Sequence, residues 1–256
     1  MKATLTVLGS GTSMGVPTIG CRCDVCNSPD PRDRRTRPSI MVEYEGHSVL
    51  IDTTPDFREQ AIRERIRSLD AVIYTHAHAD HILGLDDLRP LTFWRDSNIP
   101  LYADDTSADI IRRMFSYIFE GDYKYGGLAR VELKTFSGPL ELFGATFTPV
   151  KVMHGDTEIQ GYRFGSAAYL TDHSDIPEES VAQLQGLDIL FLDALRKRPH
   201  PTHSTLENSV KLVGRIQPKR AFFTHISHDL AHEQTNASLP PHIRLAHDGL
   251  KLEFEL

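Results

Sequence analysis

The stretch richest in chemistry is Thr75-His76-Ala77-His78-Ala79-Asp80-His81, which sets three imidazoles and a carboxylate in close succession. It follows an apolar run, Ala71-Val72-Ile73-Tyr74, and leads into Ile82-Leu83-Gly84-Leu85. A strand stopping at Thr75 and a helix starting near Asp80 would present these donors at the carboxyl end of a sheet strand, where ligands bind in α/β folds. In extended backbone His76 and His78 point to the same side, because side chains alternate with period two, so the pair can bite one ion. Asp80 and His81, at the helix start, are displaced from that pair and better placed to reach a second ion. The spacing therefore predicts a two-metal site. Four neutral or anionic donors packed this tightly are costly unless a cation holds them.

Partners for such a site must come from elsewhere in the chain. His154, Asp172 and His225 each follow an apolar strand-like segment, and each can project from the same sheet edge as the His76 cluster. Asp52 closes a predicted hairpin over residues 39–51 and reads as a carboxylate that orients ligands. Asp193 likewise follows an apolar strand, with no role assigned to it. A separate cluster, Cys21-Arg22-Cys23-Asp24-Val25-Cys26, holds all three cysteines of the chain. Three thiolates this close suit a tetrahedral zinc that takes its fourth ligand from elsewhere; closed sites of this kind add folding free energy and do no chemistry. An odd, tight cluster fits a disulfide framework poorly and a reducing compartment well.

The elements that must carry these residues alternate along the chain. Met1 to Gly9 patterns as a strand and runs into Gly9-Ser10-Gly11-Thr12-Ser13-Met14-Gly15-Val16-Pro17, a loop that is either purely structural or partly substrate-facing. Arg32-Asp33-Arg34-Arg35-Thr36-Arg37-Pro38 is a locally basic loop, either solvated surface or a source of an arginine for a substrate phosphate. Helices are predicted from Pro55 to Leu69 and from Ser107 to Phe119. The segment 121–127 is an aromatic insertion, a lid or a subunit contact. Later come a strand from Leu140 to Met153, a hairpin through Gly161-Tyr162-Arg163-Phe164 and Ala168-Tyr169-Leu170, and a helix from Pro177 to Gln185. A strand Asp188 to Leu192, a helix Ser204 to Ile216 and a strand Arg220 to Thr224 follow, with a last hairpin around Asp248-Gly249. Two strand-rich halves with interspersed helices fit helices flanking two packed sheets.

The chain has 256 residues, 40% of them apolar, enough for one large core, and no linker divides it. Its net charge of −7 argues against a protein whose task is gripping a polyanion, so nucleic acid is disfavoured as a partner. The N-terminus lacks a signal-peptide pattern and no apolar run approaches the roughly 20 residues of a membrane span, which makes the cytoplasm the expected location.

The string His76-x-His78-x-Asp80-His81 resembles the signature of the metallo-β-lactamase superfamily of metal-dependent hydrolases. That resemblance covers nearly the whole chain. It implies an α/β fold, the four-layer αββα sandwich, as one domain over residues 1–256 with an N-terminal zinc-binding loop at about 20–28. It also implies a ligand order: His76, His78 and His154 on one divalent ion, Asp80, His81 and His225 on the other, and Asp172 bridging both. Within the superfamily the chain is similar to the phosphoribosyl cyclic phosphodiesterase family of bacterial phosphonate degradation. Gly9-Ser10-Gly11-Thr12 with Gly15-Val16-Pro17, the Cys21/Cys23/Cys26 cluster and Thr224-His225-Ile226-Ser227-His228 carry that likeness. It implies that His228 completes a structural zinc site, and that His203, with His200 the lesser candidate, is a catalytic group alongside Asp80. His173 stands where a small residue is the family's pattern.

The activity so implied is hydrolysis of a small or cyclic phosphodiester, of the phosphoribosyl 1,2-cyclic phosphate type, by a hydroxide bridging two metals. Zinc, manganese and iron all tolerate the donor set. A small-molecule substrate and a homodimer are expected, without membrane association. Transfer RNA 3′ processing and lactone or thioester hydrolysis use the same fold and stand as alternatives, as does a zinc-dependent structural module.

Overall fold

The computed structural model describes residues 1–93, 95–121 and 127–256. Residues 122–126, most of the segment read above as a lid or subunit contact, lie outside the described residues. The strands in chain order are β1 (Lys2–Gly9), β2 (Ser39–Tyr44), β3 (His47–Ile51), β4 (Ala71–Ile73), β5 (Ile99–Ala103), β6 (Val131–Thr135), β7 (Leu140–Leu142), β8 (Ala145–His154), β9 (Thr157–Phe164), β10 (Ala167–Leu170), β11 (Ile189–Asp193), β12 (Arg220–Thr224), β13 (Ile243–Leu245) and β14 (Lys251–Glu255). They form two seven-stranded sheets, ordered β14-β1-β2-β3-β4-β5-β6 and β13-β12-β11-β10-β9-β8-β7. Strands β3 to β6 run parallel, as do β10 to β13, while the hairpin-connected strands are antiparallel.

Strands such as Ile189-Leu190-Phe191-Leu192 read as unbroken apolar runs because both of their faces are covered. Ile189 and Phe191 join Leu5, Val7, Val42, Ile51, Phe147 and Phe164 in the core between the sheets. Leu190 and Leu192 face outward onto helices Glu178–Gln183 and Leu206–Ile216. On the other sheet Leu50, Val72 and Leu101 pack against Phe57, Ala108 and Ile111 of helices Phe57–Arg63 and Asp105–Met114. Each buried Leu or Phe contributes about 1.5–3 kcal/mol. The result is the helix–sheet–sheet–helix sandwich expected from the sequence. Across the seam, Tyr162 Oη donates to the Tyr74 carbonyl at 2.7 Å, which ties β9 to the backbone just before His76.

Four expectations about elements need correction. The helix predicted to Leu69 ends at Arg63, after which Arg65 adopts φ 57°; Ile66 and Leu69 reach the core from an irregular return, and Ile62 stays exposed. The helix predicted over Ser107–Phe119 starts at Asp105, where Asp104 accepts from the Ser107 N–H, and it breaks at Phe115 into two pieces. The strand predicted from Leu140 splits at Phe143-Gly144, whose positive φ angles of 49° and 84° make a tight turn between β7 and β8. Asp248-Gly249 is a turn but not a hairpin, because β13 pairs with β12 while β14 pairs with β1 in the opposite sheet. A local turn signal cannot tell which sheet the next strand joins.

Candidate metal centre

Each donor predicted from the sequence sits at one edge of the sandwich. Asp52 follows β3, His76 lies just past β4, His154 ends β8, Asp172 follows β10, Asp193 ends β11 and His225 follows β12. Parallel strands align their carboxyl ends, and antiparallel β9 returns β8 to the same direction as β10. Asp52, Asp172 and His225 all adopt left-handed backbone, with φ of 67°, 57° and 55°. Such conformations cost about 1–3 kcal/mol each outside glycine and cluster at functional sites, where they turn a side chain sharply off the strand axis.

Two donor groups result, each with its ligand atoms within 4.8 Å of one another: His76, His78 and His154, and Asp80, His81, Asp172 and His225. Asp172 Oδ2 lies 3.3 Å from Nε2 of both His81 and His225 and 4.0 Å from His76 Nε2, so one carboxylate touches both groups. Asp80 Oδ2 is 3.4 Å from His81 Nε2 and 3.7 Å from His225 Nε2. Among the described residues these three atoms, Asp80 Oδ2, His81 Nε2 and His225 Nε2, are buried with no hydrogen-bond partner. Buried polar atoms are nearly always satisfied, so a convergent set left open fits divalent cations.

Hydrogen bonds behind the donors fix which ring nitrogen faces inward. His154 Nδ1 lies 2.8 Å from the Thr202 carbonyl, which only accepts, so Nδ1 carries the proton and Nε2 offers its lone pair. Asp52 Oδ2 is 2.8 Å from His81 Nδ1, and Asp52 is itself held by the Thr75 N–H and hydroxyl, both at 2.8 Å. This confirms the position behind the donors read for Asp52 from the sequence. Electrostatics sort the imidazoles. Burial keeps the His76 and His154 rings well toward the neutral form. Burial also opposes charge on His81 and His225, but Asp172 and its neighbouring carboxylates win, lifting His81 well above its ordinary value and His225 to about 9. Asp172 is conversely held far below the usual carboxylate range despite its burial, by His225 and His81. The pocket attracts positive charge, and protons and cations compete for it.

His203 lies 4.7 Å from His154 and 4.4 Å from His225 between ring centres, stacked on the latter. Its Nδ1 is 2.6 Å from Oδ2 of the fully buried Asp193, which leaves Nε2 as the free face. Asp193 also stands 3.8 Å from His225 Nδ1. Sequence reasoning passed over Asp193, although an apolar strand ending in an acid was the signal that found Asp172. Burial drives its carboxyl well above the ordinary range, and burial together with His225 lowers His203 to about 3. His200, 5.0 Å from His203, is turned to Thr202, whose N–H donates to its Nδ1. His173 is wholly buried, and neither ring nitrogen has a hydrogen bond among the described residues.

The cysteines and His228 meet as the family likeness implies. His228 Nδ1 lies 3.2, 3.4 and 3.5 Å from the Sγ atoms of Cys21, Cys23 and Cys26. Backbone N–H groups of Thr18 and Cys26 point at the sulfurs of Cys26 and Cys23. Four soft and borderline donors in one knot fit zinc. The basic loop is divided: Arg34 is exposed, as the solvated reading has it, but Arg35 is buried, bonded to Asp33 and to the carbonyls of Ser227 and Leu230, while Arg37 pairs with Asp56.

Residues 47–226 match the model of the beta-lactamase superfamily domain. The crystal structure of a new diphosphatase from the PhnP family is 63% identical, superposes with a TM-score of 0.95, and the match spans 100% of this chain and 98% of that one. The chain thus belongs to the beta-lactamase superfamily and, within it, to the PhnP family. It is a metal-dependent hydrolase. An octanoyltransferase of Porphyromonas gingivalis is 40% identical over 250 residues, 96% of this chain but only half the length of that protein. A coenzyme PQQ synthesis protein B of Methylorubrum populi is 29% identical over 220 residues, 74% of this chain and 72% of that protein. No helix among the described residues is long and apolar enough to cross a membrane.

Proposed function

We propose that the site hydrolyses a small or cyclic phosphodiester. The observation that carries this reading is the convergence of seven donors from both sheets beside an imidazole, His203, whose outer nitrogen is left free by Asp193. His76, His78 and His154 would hold one divalent ion, Asp80, His81 and His225 a second, and Asp172 would touch both; zinc and manganese both suit the set. Such ions supply a water of lowered pKa and neutralise phosphoryl oxygens. The protein's own part is positional and acid–base. Asp52 and the Thr202 carbonyl hold His81 and His154 so that their Nε2 atoms face inward. Without substrate, burial and His225 keep His203 neutral, and the negative charge of a phosphodiester bound beside Nε2 would bring it a second proton, which Nε2 then gives to the departing alkoxide while Asp193 holds Nδ1–H. Cys21, Cys23, Cys26 and His228 would hold a structural zinc. The reading takes residues 1–256 as one cytoplasmic unit that pairs as a dimer, which light scattering would check.

Protein loaded with Mn²⁺ or Zn²⁺ should hydrolyse bis(p-nitrophenyl) phosphate. Lactone turnover without phosphodiester turnover would refute the proposal. That outcome belongs to a second reading, thioester or lactone hydrolysis, which the octanoyltransferase name of one relative favours. Processing of tRNA is opposed by the net charge of −7.

A further inference from the structure

Outside the metal centre a groove of about 390 Å³ lies between helix Phe57–Arg63 and the short helix Arg89–Thr92. Helical periodicity sets Arg58, Ala61 and Ile62 on one face of the first helix, which forms one wall, and Pro90 and Leu91 form the other. Behind it Ala61, Ile66 and Leu91 pack, half-buried, on the core around Phe57, while Ile62 is 62% exposed. The rim is cationic. Arg58, Arg65 and Arg67 line the groove, and among the described residues none of the three guanidinium groups has a hydrogen bond or an ion pair. Arg63, between them in sequence, is instead taken up by Glu64 and Asp248. Asp87 is the one carboxylate of the lining among the described residues. A chain of net charge −7 thus gathers unneutralised positive charge around a concave apolar floor, the make-up of a recognition surface.

We infer that the groove docks an acidic amphipathic helix of a partner protein, its apolar side chains inward and its Asp or Glu side chains toward the arginines. The spacing of the charges selects this occupant. Arg58 and Arg65 leave the backbone seven residues apart, roughly 10 Å along a helix axis. Acids seven residues apart on the flank of a docked helix repeat that interval, and apolar residues at i, i+3, i+4 and i+7 beside them meet the floor. A bilayer surface is flat and would leave a concave floor unfilled. Apolar contact supplies most of the affinity here, and guanidinium–carboxylate pairs choose the sign of the partner. Occupation of the groove is independent of the phosphodiester reading above.

Fluorescence anisotropy tests the groove with a labelled synthetic peptide of about 15 residues, built with leucines on one helical face and glutamates on its flanks, and with a twin carrying lysine for every glutamate. The wild type should bind the glutamate peptide saturably and about tenfold tighter than the lysine peptide. Arg58→Glu combined with Arg65→Glu and Arg67→Glu should reverse that preference at unchanged Tm, since all three side chains are exposed. Arg65→Gly suits the left-handed backbone at this position, φ 57°, and should weaken the glutamate peptide about twofold to fivefold, the scale of an exposed ion pair. Binding of neither peptide, equal binding of both, or a preference that survives charge reversal overturns the inference. Phosphatidylglycerol vesicles that bind the wild type but not the reversal variant, with neither peptide bound, would make the face a membrane surface. A dimer that the reversal variant alone fails to form would give the groove to a second copy. Either result overturns the choice of a partner helix.

Discussion

At the scale of single residues, the proton transfer proposed for the pair His203–Asp193 is one that the identity of the leaving group would expose. A 2.6 Å contact between Nδ1 and Oδ2 needs a proton between them, so Asp193 selects the tautomer and the direction in which Nε2 points. A general acid matters most when the departing oxygen is a poor leaving group and least when it is a stabilised nitrophenolate. His203→Ala should therefore lower turnover of a nucleoside 2′,3′-cyclic phosphate by about 10² to 10⁴, with a much smaller loss on bis(p-nitrophenyl) phosphate and unchanged metal content. Asp193→Asn keeps an acceptor but removes the charge behind the imidazolium, and should show the same leaving-group dependence with a drop of about 10- to 100-fold in kcat and little change in KM. Equal losses on both substrates would move the pair from proton transfer to a purely architectural role.

At the scale of elements, the loop after β12 carries His225 into one site and His228 into the other, and it is pinned twice. Arg35 reaches the carbonyls of Ser227 and Leu230 at 2.9 and 2.7 Å, and the cysteine knot grips His228. With Arg35 still in place, Cys23→Ser should cost stability first: a fall in Tm of several degrees with activity per folded molecule preserved, measured by calorimetry alongside turnover. Asp80→Ala should abolish turnover while lowering Tm by no more than the loss of one seam ion would. Activity lost in Cys23→Ser at unchanged Tm would refute the structural role of the cysteines. The same loop shows what the chain made legible. His76, His78, Asp80 and His81 were readable because their spacing is local, and His154, Asp172 and His225 because each ends an apolar run. His228 and His203 followed from family likeness alone. Arg35 was hidden, since a charged residue in a basic loop gives no sign of its burial until distant carbonyls close around it. Asp248 was read only as part of a turn, yet its carboxylate accepts from Ser10 and Thr36 and joins the N-terminal loop to the sheet crossover.

At the scale of the whole molecule, the donor cluster is a seam. His76, His78, Asp80 and His81 hang from the first sheet, His154, Asp172 and His225 from the second, and Asp52, Asp172 and Asp193 are almost fully buried beside it. Buried carboxylates and left-handed backbone at Asp52, Asp172 and His225 make this edge costly to fold without positive charge. Cations that bind the folded seam and not the unfolded chain stabilise by mass action, about 2.7 kcal/mol at a hundred times Kd. For a chain of this size, with roughly 2–4 °C of Tm per kcal/mol, chelation should then lower Tm by about 5–10 °C for each ion the seam loses. The cysteine knot would also lose its ion, so the comparison needs a variant that empties only the seam. Asp172→Ala removes the carboxylate both donor groups share while leaving Cys21, Cys23, Cys26 and His228 intact. In excess metal, Asp172→Ala should melt below the metal-loaded wild type, stay above the chelated wild type by what the cysteine knot's ion contributes, and gain little from added Mn²⁺. If it instead melts with the metal-loaded wild type and responds to Mn²⁺ as strongly, the two sheets are held together by their apolar core alone and the seam is only a place where chemistry happens.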